Sequence, residues 1–126
     1  MDWWFDEKWE GDILGSVLNA LPDGFSYTNE EGEVVYANRA YYELTGLTED
    51  EILNRNVRQL ADQGYPVSKL CLDVFQSGTP KSESIRYSAQ SGREILITAT
   101  PVYDRDGVFR GAVITFRDLD ELIALR

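Results

Sequence analysis

The chain contains no histidine, and that absence removes several chemistries together. A histidine-ligated haem, a Ser-His-Asp or Cys-His catalytic group and most zinc sites need an imidazole. One cysteine, Cys71, is present, so no internal disulfide can form and a reducing compartment suits the chain. Long hydrophobic runs are missing too. The longest apolar stretches fall far short of the ~20 residues a membrane span requires. The acidic N-terminus lacks the continuous apolar region of a secretory signal, so the sequence reads as a soluble, cytoplasmic domain with no membrane contact. Positive charge is scarce: 12 Lys and Arg against 22 Asp and Glu give a net charge of −10. Phosphate contacts need clustered Lys and Arg, so no direct contact with nucleic acid is expected. Residues 1–65 hold 14 acidic and 4 basic side chains, whereas residues 66–126 hold 8 of each. The acidic half reads either as a solvated surface or as a face for a basic partner.

What is present fits one packed domain: 126 residues, 43% of them hydrophobic. Up to Leu21 the pattern is helical, interrupted by Gly11 and Gly15. Phe5, Trp9, Ile13, Val17 and Leu21 recur every four residues along one stripe, and Trp3 and Trp4 add aromatic area. So much apolar surface at a terminus either folds back over the domain or packs against a second copy. In the second case Trp3, Trp4, Phe5, Trp9, Ile13 and Val17 form a homodimer interface.

From Pro22 the period changes to two. The spacing predicts strands over 24–29 and 33–37, joined by a turn at Asn29-Glu30-Glu31-Gly32. A helix follows from Asn38, an N-cap residue, to Thr45, with Gly46 to end it. Thr48 and Glu51 form a capping box that opens a short helix through Leu53, and residues 54–65 read as irregular or broken helix. Pro66 suits the first turn of a helix to about Gln76. Three longer strands, over 81–90, 93–103 and 108–117, are separated by tight turns and should form an antiparallel meander. Leu119, Leu122 and Ile123 have the spacing of a coiled-coil start. The fold class is α+β: a five-stranded antiparallel sheet with short helices on one face, an N-terminal helix and the start of a C-terminal helix.

The order and spacing of five strings resemble the PAS family over residues 12–122. They are Leu21-Pro22-Asp23-Gly24, then Val35-Tyr36-Ala37-Asn38 running into Leu44-Thr45-Gly46, then Thr98-Ala99-Thr100-Pro101-Val102, Asp104-Arg105-Asp106-Gly107 and Arg117-Asp118-Leu119-Asp120-Glu121. The family's terminal Asp-x-Thr step reads Asp118-Leu119-Asp120 here, with a carboxylate in place of the hydroxyl. Pro66-Val67-Ser68, the stretch from Glu94 to Pro101 and the end from Arg117 to Leu122 are most similar to PAS modules of sigma-54-dependent transcription regulators. Sensor histidine kinases use similar modules and are the alternative parent. Beside the aromatic helix read from periodicity at 1–11, the resemblance implies a sensor domain at 12–119 and, from 120–126, the start of a linker to a C-terminal output domain. A phosphate loop and a basic recognition helix are missing from the sequence itself.

The resemblance also implies a ligand cavity between sheet and helices. The positions expected to line it are Tyr27, Leu44, Leu53, Val57, Leu60, Leu70, Val74, Ile85, Tyr87, Ile95, Ile97, Ile114 and Phe116. The same residues could instead pack into a solid core. An open cavity would suit a small apolar or aromatic ligand, with Tyr27 or Tyr87 orienting a polar group. Arg58 stands beside the expected mouth. The family's haem histidine would come from the helix beginning at Pro66, which carries none, and its flavin-reactive cysteine is matched by Val57. The cofactor is therefore unknown, with neither a histidine-ligated haem nor a cysteinyl-flavin adduct expected. Cys71, on an apolar helix face, reads as a small hydrophobe. Asp104 to Gly107 lacks the later ligands of a calcium loop, and Glu49-Asp50-Glu51 suits the dipole of a helix's first turn. No nucleophile is paired with a base, so the domain is not expected to be an enzyme. Signals are expected to leave through Asp118, Leu119 and Asp120.

Overall fold

A computed structural model describes residues 13–87 and 93–119. Trp3, Trp4, Phe5, Trp9, Asp120 and the linker at 120–126 lie outside the described residues, as does the turn at Ser91-Gly92. The elements run α1 (Leu14–Asn19), β1 (Gly24–Asn29), β2 (Val34–Ala37), α2 (Arg39–Thr45), α3 (Glu49–Ile52), α4 (Val57–Asp62), α5 (Pro66–Ser77), β3 (Lys81–Tyr87), β4 (Arg93–Tyr103) and β5 (Phe109–Asp118). The five strands form one sheet in the order β2-β1-β5-β4-β3, with every neighbouring pair antiparallel. The fold is the α+β arrangement expected from the pattern of strands and turns.

Local chemistry explains most boundaries. The β1–β2 turn closes because the Asn29 side chain accepts from the amides of Glu31 (3.1 Å) and Glu33 (2.9 Å). Helix α2 starts where Asn38 Oδ1 accepts from the Tyr41 amide at 3.0 Å, and it ends at Gly46, whose φ of 75° gives a left-handed cap. Thr48 and Glu51 form the capping box of α3. Pro66 opens α5 and Gly78 (φ 69°) closes it.

One stretch differs from expectation. Residues 54–65 contain a distinct helix, α4, because Asn54 turns the chain through a positive φ of 63° and the Asn56 side chain then accepts from the Arg58 amide at 2.9 Å. A second asparagine cap two residues after a left-handed turn converts an irregular segment into an element.

The core lies between the sheet and helices α2 to α5. Ile95 and Ile97 from β4, Ile114 and Phe116 from β5, and Val74 from α5 are all buried there. Tyr41 meets the Phe116 ring edge-on at 4.8 Å, locking α2 onto the centre of the sheet. Asn38 is fully buried and uses all its polar capacity. Its oxygen also accepts from the Phe25 amide (2.8 Å), and its nitrogen donates to the carbonyls of Leu18 (2.8 Å) and Asp23 (3.1 Å). One side chain thereby joins α1, the entry to β1 and the start of α2. Ile13, Val17 and Leu21 remain exposed along α1. Among the described residues no helix is long and apolar enough to cross a membrane.

Candidate functional site

The short side chains of β1 make the site. Register pairs Gly24 with Phe116, Ser26 with Ile114 and Thr28 with Ala112, so Gly24, Ser26 and Thr28 share the helix-facing side of the sheet. The neighbouring strand fills its part of the core with Phe116, whereas β1 offers two hydroxyls. The height left over is a cavity of about 280 Å³. Its floor is Ser26, Thr28, Ile114 and Ile85, and its roof comes from Tyr41, Thr45, Ile52, Val57 and Leu60. The first turn of α5, at Pro66, Val67 and Ser68, closes one side.

Four residues expected at a cavity, Val57, Leu60, Ile85 and Ile114, line it. Others are placed elsewhere. Leu70, Val74, Ile95, Ile97 and Phe116 pack on one another within the solid core. Leu44 packs at the core's margin, and Leu53 is the half-buried C-cap of α3. Tyr27 is a correction: it alternates with Ser26 and Thr28 and so projects from the opposite face, where its hydroxyl donates to the Arg110 carbonyl. The resemblance implied an inward position, yet the strand turns Ser26 and Thr28 inward and its aromatics outward. Tyr87 pairs with Arg93 at the end of β3, and its side chain lies outside the described residues. Arg58 is exposed and lines a separate shallow groove with Phe75 and Gln76.

Sequence reasoning missed Ser26, Thr28, Thr45 and Ser68. The signal was the alternation in Phe25-Ser26-Tyr27-Thr28, whose phase the β1–β5 register decides. Thr45 is internally satisfied: its hydroxyl donates to the Tyr41 carbonyl (2.8 Å) and accepts from the Leu47 amide (3.2 Å). Thr28 hydrogen-bonds the sulfur of Cys71, which burial pushes up to about 12 and the threonine hydroxyl partly offsets. Such a thiol stays protonated and unreactive at neutral pH. Among the described residues no group of three His, Cys, Asp or Glu is placed to hold a metal.

Beyond the cavity, β5 ends in two ion pairs. Arg93 Nη1 lies 2.6 Å from Asp118 Oδ2, and Arg117 Nη2 lies 3.0 Å from Asp23 Oδ2. Asp118 is buried there, Leu119 is half-buried, and the end of β5 is tied to the start of β4 and to the turn before β1.

An antiparallel five-stranded sheet with the last strand at its centre, and short helices covering a small cavity, defines a class of α+β domains. Residues 14–119 match the PAS fold family model, and the chain belongs to the PAS family. Similar solved structures include the C-terminal domain of a Streptococcus mutans protein, at 19% identity and TM-score 0.68 over 91% of this chain and 89% of that one. The PAS domain of BvgS from Bordetella pertussis is similar at 18% identity and TM-score 0.64, covering 95% and 97% of the two chains. The PAS domain of histidine kinase ThkA is similar at 19% identity and TM-score 0.61, covering 76% and 99%. At these identities the likeness concerns the fold. No curated protein matches the chain.

Proposed function

We propose that this PAS domain is the sensory module of a cytoplasmic, bacterial-type signalling protein, in which a small ligand in the cavity governs a C-terminal output domain. The observation that carries this reading is the 280 Å³ cavity whose walls belong to the elements that must move. Ser26 on β1, Ile114 on β5 and Ile85 on β3 form its floor, so a bound molecule presses on three strands together. β5 is among them and ends at Asp118, the start of the proposed exit through Leu119 and Asp120. A ligand biases the output only if it binds one arrangement of that exit more tightly than the other. The similarity of Pro66-Val67-Ser68 and of the stretch from Arg117 to Leu122 to modules of sigma-54-dependent regulators supports such a regulator as the parent. The structural likeness to the PAS domain of histidine kinase ThkA supports the alternative, a sensor kinase.

The exposed stripe of Ile13, Val17 and Leu21, continuous in spacing with Trp9 and Phe5, supports a homodimer through the N-terminal helix. A purely structural dimerisation module is the second reading, because the stripe needs no cavity. One set of samples separates the two. Small neutral aromatics should raise the Tm of the purified chain and shift the amide resonances of Phe116, Arg117 and Asp118, while light scattering gives the mass of a dimer. A dimer without any ligand-induced change, in Tm or at the end of β5, would leave the structural reading.

A further inference from the structure

We infer that the cavity selects an uncharged molecule of on the order of ten non-hydrogen atoms, bearing an oxygen that bridges the hydroxyls of Ser26 and Ser68. The inference rests on the sensory reading above and specifies its ligand.

Size comes first. Cavities of ~150 Å³ hold benzene, so 280 Å³ accommodates a ring with a short substituent. Polar chemistry comes second. Ser26 is 3% and Ser68 is 6% exposed, both line the cavity, and neither hydroxyl has a hydrogen-bond partner among the described residues. Ser68 stands in the first turn of α5, where no earlier turn of the helix offers its hydroxyl a carbonyl. Buried hydroxyls without partners are rare because they forfeit the hydrogen bonds they made in water. Two of them on different walls of one cavity, the sheet floor and α5, mark where a guest supplies the missing partner. Thr28 and Thr45 are already engaged, by Cys71 and by Tyr41 and Leu47.

Charge decides the rest. No Lys, Asp or Glu lines the cavity, and its charged wall residue, Arg86, reaches Glu94 at 3.6 Å with 66% of its side chain exposed. A carboxylate inside would meet no buried counter-charge. The first turn of α5 gives a partial positive charge, which favours a ligand oxygen as acceptor. That gain is smaller than the cost of stripping water from a full negative charge. An alcohol or carbonyl gains from the same turn without that cost.

Three probes of one shape test this: propylbenzene, 3-phenylpropan-1-ol and 3-phenylpropionate, titrated at neutral pH by calorimetry into the full chain and into the Ser26→Ala and Ser68→Ala variants. The alcohol should bind about tenfold tighter than the hydrocarbon, and the carboxylate more weakly than both. Each serine variant should reduce the alcohol's advantage several-fold and leave propylbenzene affinity unchanged. Both variants should keep or raise the ligand-free Tm, because each removes a hydroxyl that has no partner. Carboxylate binding as tight as the alcohol's, or an alcohol preference that survives both substitutions, overturns the ligand class while the cavity still binds. Failure of all three probes to bind overturns the sensory reading with it.

Discussion

At the scale of single residues, the domain depends on a few side chains whose polar atoms are all used. Asn38 offers one acceptor and one amide group, and four backbone partners from three segments occupy them. Asn38→Ala removes the side-chain partner of the Phe25 and Tyr41 amides and of the Asp23 carbonyl, leaves the Leu18 carbonyl with the Leu21 amide alone, and opens a small void. We expect a loss of about 3 kcal/mol or more in urea unfolding. Asn38→Asp should restore part of it, because the acceptor remains. The cap on Tyr41 was legible in the sequence as an asparagine preceding a helical stretch. The bonds to Leu18 and Asp23 were not, because nothing local in sequence brings those carbonyls to position 38. Tyr27 shows the same limit. Its alternation with Ser26 was visible, but which side of the strand faces the helices depends on β5, more than eighty residues later.

At the scale of elements, strand positions, helix caps and the meander of β3, β4 and β5 followed from period and punctuation. Turn residues and capping boxes act within about five residues, so a sequence displays them. The cavity is a property of pairs of elements. It exists because β1 carries hydroxyls opposite a roof of branched side chains, and no single stretch records that difference in height. The β1–β5 pairing itself turns on Gly111. At φ +118° a side chain there would place its Cβ 2.0 Å from the Thr28 carbonyl oxygen. Gly111→Ala must therefore part the strands beside Thr28, a cavity wall residue. Its expected cost is about 3 kcal/mol or more, with faster amide exchange in both strands. An exchange pattern matching the unsubstituted chain would contradict the close approach.

At the scale of the whole molecule, the acidic excess and the buried acids set the response to pH. Burial raises the Cys71 thiol from an ordinary 9.0 to about 12, and burial with Glu49 nearby raises the Tyr42 phenol to about 12. The unfolded chain releases these protons first. Their contribution is therefore complete below pH ~9 and is lost as pH climbs towards 12. For the thiol alone the gap corresponds to about 4 kcal/mol at full expression. Asp104 behaves oppositely. The Val108 amide is the largest influence holding its carboxyl below the usual value, with help from Arg110 and the Asp106 amide. Its share of stability is present above pH ~4 and falls away in acid. Urea midpoints should thus hold near neutrality and drop on both sides, and Cys71→Ala should flatten much of the alkaline limb.

The sheet order puts its own last strand in sequence, β5, between the first and the fourth. Until Phe109 to Asp118 has left the ribosome, the β1–β2 hairpin and the β3–β4 hairpin share no hydrogen-bonded border, and the core has no middle. A nascent chain can make turns and caps early, yet it cannot close around a guest until β5 arrives. The strand proposed to report occupancy is also the one whose insertion completes the container.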